Sequence, residues 1–144
     1  MNNDLLIARV AGQRIAMAAT EVQSVIELGE IVPVPLAPQP VAGLATQRSR
    51  TLTVIDVAQA LELPVSDGNA RFAVVVEIEG VGYALAVEAV ENVIPAQGEV
   101  QPVKVKLAPG WARSAVGMVD TDIGTVLQVD LTRLVCGQIQ QKAA

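Results

Sequence analysis

Apolar residues come along this chain in short runs, broken by glycine, proline or charged residues, and most runs read as strands. Leu5 to Val10 and Ile15 to Ala19 flank Ala11-Gly12-Gln13, the pattern of a hairpin. Thr20 with Gln23 three positions on has the form of a helix cap, which predicts one helical turn before a strand over Ser24 to Leu28. Prolines at 33, 35, 38 and 40 lack backbone donors, so Ile31 to Pro40 is predicted as a connecting loop. Val41 to Ala45 and Thr51 to Ile55 then read as strands around a polar loop. Asp56 opens a short helix over Val57 to Leu61. Ser66-Asp67-Gly68-Asn69 is the most turn-prone linker. Beyond it, Phe72 to Ile78 and Tyr83 to Glu88 form a second hairpin around Glu79 to Gly82. A helical turn is predicted at Ala89 to Asn92, a strand at Val93 to Ala96, and irregular chain from Gln97 to Arg113. Ala115 to Val119 and Thr125 to Val129 make a last hairpin, and Asp130 caps a helix reaching about Cys136, with Gly137 as its stop.

The same plan is written twice. Gly43 recurs as Gly117, Thr51 as Thr125 and Asp56 as Asp130, each 74 positions on. Gly12 to Ala18, with Val22 and Val25, recurs as Gly80 to Ala86, with Val90 and Val93, 68 positions on. Echoes that keep their order imply one unit of about 70 residues, used twice. The expected division is a first subdomain at about 5–65 and a second at about 71–136, inside one domain spanning 5–136, with strands open to exchange between the two. Residues 138–144 are expected to fray. Five short strands per unit close most naturally into a small barrel, which removes exposed edges. Each barrel alone has too little core, so the two are expected to share one.

Composition sharpens this. Of the 144 residues 51% are apolar, but Phe72, Tyr83 and Trp111 are the only aromatics. The core must be built from Val, Ala, Leu and Ile, which favours a mainly β fold. No apolar run approaches the roughly 18 residues of a membrane span, and Asn2-Asn3-Asp4 is not a secretory start. A lone cysteine cannot form an internal disulfide. The expectation is a cytoplasmic protein with no membrane insertion. A net charge of −5 with scattered basic residues speaks against nucleic acid.

Candidate chemistry is sparse. The chain has no histidine, which removes Ser-His-Asp and Cys-His catalysis and most zinc sites. Cys136 reads as a small buried apolar residue, and no glycine-rich phosphate loop is present. Asp56 and Asp130, equivalent in the two units, are placed where a pseudo-two-fold axis could form a proton-sharing carboxylate dyad. Neither is followed by the Thr/Ser-Gly such dyads use, and both stand where helix caps belong. No catalytic residue, metal or cofactor is therefore expected. Arg48 and Arg50, in the loop Thr46 to Arg50, are candidates for contact with a partner protein.

The chain resembles the CheW-like domain, the coupling module of bacterial chemotaxis. The family signature, a Gly followed two residues later by Asn-Leu-Arg-Gly and then Pro-Val-x-Asp-Leu, stands here as Gly43 to Ser49 and Thr53 to Val57. Arg48 keeps its signature residue. Thr46, Gln47 and Ser49 replace Asn, Leu and Gly, and Thr53 replaces Pro. Gly12 to Ala18 with Val22 and Val25, the Pro33-Val34-Pro35 loop, and Gly80 to Val90 match the remaining blocks in order. The resemblance implies two intertwined five-stranded SH3-like β-barrels with short helices. It also implies a non-enzymatic adaptor joining the cytoplasmic tip of chemoreceptors (methyl-accepting chemotaxis proteins) to a CheA-type histidine kinase. Val22, Ser24 and Arg48 would then be the partner-binding residues. Two other readings stand beside it: a double barrel binding a peptide or helix outside chemotaxis, and a hydrolase using Asp56 and Asp130.

Overall fold

A computed structural model describes residues 4–35, 41–63, 71–103, 106–107 and 109–137. Eleven strands account for most of them: β1 (Asp4–Val10), β2 (Gln13–Ala18), β3 (Ser24–Glu27), β4 (Val41–Gln47), β5 (Arg50–Asp56), β6 (Phe72–Ile78), β7 (Val81–Val87), β8 (Ala89–Pro95), β9 (Gln97–Gln101), β10 (Ala115–Thr121) and β11 (Gly124–Val129). Among the described residues, helical structure comprises a 3-10 turn at Ala19–Glu21, α1 (Val57–Ala60), α2 (Pro109–Ser114) and a closing turn at Arg133–Gly137 that continues from Leu131 and Thr132.

The strands form two sheets, in the orders β8-β1-β2-β11-β10-β9 and β3-β6-β7-β5-β4. Each sheet draws on both halves of the chain. The first hairpin, β1–β2, lies beside β11 in a parallel pairing that sets Ile15 against Leu127. Its counterpart, the hairpin β6–β7, lies beside β5 with Tyr83 against Thr53. These are the same positions in the two copies, so the exchange is reciprocal. Each sheet is closed by one bent segment. In the first, β8 pairs with β1 and β9, one residue further on, pairs with β10. In the second, β3 pairs with β6 and Val32 bridges to Leu44 of β4. Two five-membered barrels result, mainly β, as the resemblance implies.

The exchange explains why the apolar runs are unbroken. Successive strand residues face opposite ways. Along β1, Leu6, Ala8 and Val10 enter the core shared by the barrels, while Leu5 and Ile7 fill their own barrel. Along β6, Val74 and Val76 face the shared core, and Ala73 and Val75 fill the other barrel. A strand buried on both faces has no polar side to alternate with. Trp111, from α2, and Leu131 and Leu134 complete the shared core.

Two expectations are corrected. Ala89 to Asn92 is strand, not a helical turn, because β8 pairs with β1 and the Glu88 amide donates to the Arg9 carbonyl. The Thr20 that can cap the turn in the first copy is replaced by Glu88 here, although Glu91 stands in the place of Gln23. The stretch from Gln97 to Arg113 is only partly irregular. It holds β9, whose residues are all exposed and so lack an alternating pattern, and α2, which starts on Pro109, where a missing amide costs nothing. Ser66 to Asn69 and 138–144 lie outside the described residues.

Turn chemistry also differs between the copies. Arg48 and Ser49, with φ of 51° and 65°, form a two-residue hairpin loop with both residues left-handed. The equivalent β10–β11 turn concentrates the positive φ on Gly124 (110°) and is tied by Thr121 Oγ1, which donates to the Gly124 carbonyl at 2.7 Å. A non-glycine residue at Ser49 is disfavoured by roughly 1 kcal/mol. Ser49→Gly is expected to recover about that much, read as a higher midpoint in urea with an unchanged slope.

Candidate functional site

Asp56 and Asp130 are helix caps. The Gln59 amide donates to Asp56 Oδ1 at 3.2 Å, and the Arg133 amide donates to Asp130 Oδ1 at 3.0 Å. An Asp in this position contributes about 1 kcal/mol by satisfying a backbone donor that the helix cannot. Among the described residues no group of three or more His, Cys, Asp or Glu could hold a metal. Cys136 lies in the closing turn, its side chain outside those described.

Between the barrels lies a cleft of about 310 Å³, lined by Thr20, Glu21, Gln23, Val76, Glu77, Ile78, Leu131 and Thr132. Its walls come from the crossing after β2, from β6 and from the C-terminal segment, so it exists only because the two copies pack together. Val22 stands between two lining residues, half-buried against the shared core. Ser24 begins β3 opposite Val75 and is exposed. The two differ in burial because Val22 still belongs to the crossing, at the end of the 3-10 turn, whereas Ser24 has joined the sheet.

Arg48 sits exposed at the tip of the β4–β5 turn. The arginine tied to the cleft wall is Arg50. Its Nη1 donates to Gln23 Oε1 at 3.2 Å and its Nη2 to Glu77 Oε1 at 2.8 Å. Arg50 lies across from Gln47 at the base of the turn, two residues beyond Arg48, where the signature match points. On sequence both arginines fall in one polar loop, whereas the two-residue turn returns Arg50 to the sheet. Glu21 is not singled out by the sequence reading. Burial, and secondarily the charge of Asp130, raise its carboxyl above the ordinary value of 4.5. The cleft thus combines apolar floor residues with a carboxylate at its rim, Glu21, and one Arg–Glu pair along its wall.

Two strand-exchanged five-stranded barrels around one core, with an inter-barrel cleft, define a double SH3-like barrel module. The chain belongs to the CheW-like domain family, whose sequence profile matches residues 4–136. The fold is similar to that in the crystal structure of the scaffolding protein TtCheW from Thermoanaerobacter tengcongensis. The TM-score is 0.80 at 21% identity, over 93% of this chain and 92% of that one. No curated protein sequence matches the chain. No helix among the described residues is long and apolar enough to cross a membrane.

Proposed function

We propose that this chain is a non-enzymatic chemotaxis adaptor that couples the cytoplasmic tip of chemoreceptors to a CheA-type histidine kinase, acting in the cytoplasm as one domain over residues 5–136. Membership of the CheW-like family supports the adaptor role. The observation that carries a binding site is the cleft between the barrels, flanked by half-buried Val22 and exposed Ser24, where partly exposed Ile78 lies over the buried Val76 and Leu131 that form its floor. Helix binding through an apolar groove needs no titrating catalyst, which accords with the capping roles of both aspartates. Arg48, at the turn tip, offers a charge to whichever partner reaches beyond the groove.

The test is a pull-down of folded variants with receptor tip and kinase. Ser24→Arg and Arg48→Glu change exposed side chains and are expected to keep the wild-type melting temperature. Each is expected to weaken at least one partner by about tenfold or more. Val22→Lys is expected to abolish receptor binding, because its charge would be buried against apolar surface at a cost of several kcal/mol. The half-buried position of Val22 means that this variant also loses stability, so its binding is read at a temperature where it remains folded. Wild-type binding of all three variants to both partners would refute the assignment.

A further inference from the structure

The two copies can be compared position by position, and at one place they differ in a way that opens a second cleft. In each barrel an exchanged hairpin meets its neighbour along a parallel seam, β7 with β5 and β2 with β11. Over the first seam lies Arg50. It pairs with Glu77, and its guanidinium packs so closely over Gly82 that a Cβ there would stand 2.8 Å from Nη2. Over the second seam the residue equivalent to Arg50 is Gly124, which has no side chain to lay across. The counterparts of Glu77 and Gly82 are Arg9 and Arg14.

The second seam is therefore open where the first is closed. It forms a cleft of about 560 Å³ lined by Arg9, Arg14, Trp111, Met118, Ile123 and Leu127 among others, with no acidic residue in its lining. That volume is within the usual range of ligand sites, roughly 300–1,000 Å³. The charge pattern is also reversed. Where one barrel holds an acid beside a covering arginine, the other holds two arginines beside an empty place. Arg9 and Arg14 share a single carboxylate, Glu91, which takes one nitrogen from each. Further N–H donors remain on both guanidinium groups. Acids beside the lining residues are engaged with their own neighbours: Glu88 accepts from the Gly12 amide, Asp120 from the Thr125 hydroxyl and Asp122 from the Gln97 side-chain amide. Trp111, only 4% exposed, has an indole N–H without an acceptor among the described residues.

We propose that the open seam between β2 and β11 receives a carboxylate side chain, flanked by apolar residues, from a partner protein. The carboxylate would occupy the place that the Arg50 guanidinium fills in the other barrel, with the charges exchanged. The apolar neighbours would rest on Met118, Ile123 and Leu127. This surface is separate from the inter-barrel cleft, and the inference stands whether or not the adaptor reading does.

Trp111 is the single tryptophan, so its emission reports on the cleft. The probes are two capped peptides, Leu-Glu-Leu-Glu-Leu and Leu-Gln-Leu-Gln-Leu, titrated into the full chain at low ionic strength, with calorimetry as a readout independent of the indole. The acidic peptide is expected to bind saturably and about tenfold or more tighter than the neutral one. Arg14→Gln and Arg9→Gln are each expected to weaken the acidic peptide by about that factor. Arg71→Gln, remote from the cleft, should leave it unchanged. Added salt should weaken the acidic peptide selectively. Absence of saturable binding by both readouts, equal affinity for the two peptides, or undiminished binding in both Arg9→Gln and Arg14→Gln would overturn the proposal.

Discussion

Alanine at Gly117 is expected to lower stability by about 3 kcal/mol, and alanine at Gly43 by a similar amount. Both glycines sit at equivalent β-bulges, where one residue, Ala42 or Val116, is left unopposed. The bulge lets the closing segment of the barrel cross directly over the glycine. A Cβ on Gly43 would lie 2.4 Å from the Val32 carbonyl oxygen, and one on Gly117 would lie 2.5 Å from that of Gln101. Backbone atoms cannot swing aside as a side chain can, so relief requires opening the pairing that closes the ring, Val32 with Leu44 or Gln101 with Met118. Gly29→Ala is the matched control. Nothing lies within 4 Å of its added Cβ, and it should be close to neutral. Urea unfolding of the three variants decides the matter. Alanine variants at 43 and 117 no less stable than the one at 29 would show that the crossing is loose.

Cutting the chain between Asp67 and Gly68 is expected to leave neither half folded alone, and to give a folded complex when both are present. The first half keeps β1–β2 but loses β8 and β11, the strands on either side of that hairpin, and it loses β6 and β7 from its other sheet. The second half is stripped in the same way. Each fragment would also expose the residues it contributes to the shared core, Ile15 and Met17 from one half and Leu85 and Val87 from the other. A chain of about 70 residues has little burial to spare. Mixed fragments regain every pairing, at the cost of bringing two chains together. Dispersed amide spectra for the mixture but not for either half are the expected observation. Two halves that melt cooperatively on their own would mean that the exchanged strands are dispensable.

Much of this architecture is legible in the residues. The repeat at offsets of 74 and 68 corresponds to real equivalence, down to the matched pairings of Ile15 with Leu127 and Tyr83 with Thr53. Asp56 and Asp130 read as caps because a short polar acceptor before an apolar segment has few other uses. Local chemistry suffices where the partner of a group is its own backbone a few positions away.

Where the partner is distant, the residues alone were not enough. Val93 and its neighbours could not reveal that β8 starts at Ala89, since that strand exists only through β1. The polar loop pointed to Arg48 as readily as to Arg50, and only the sheet register sends Arg50 to Gln23 and Glu77. The seam left open by Gly124 had no signal at all, because its emptiness is defined by comparison with a side chain from elsewhere in the fold. What the sequence determined by itself was the existence of two like units and the strands within them, because apolar spacing reports which residues leave water. Only the tertiary structure decided which hairpin enters which barrel. The two units carry nearly the same pattern, and burial of an apolar side chain does not depend on which copy covers it.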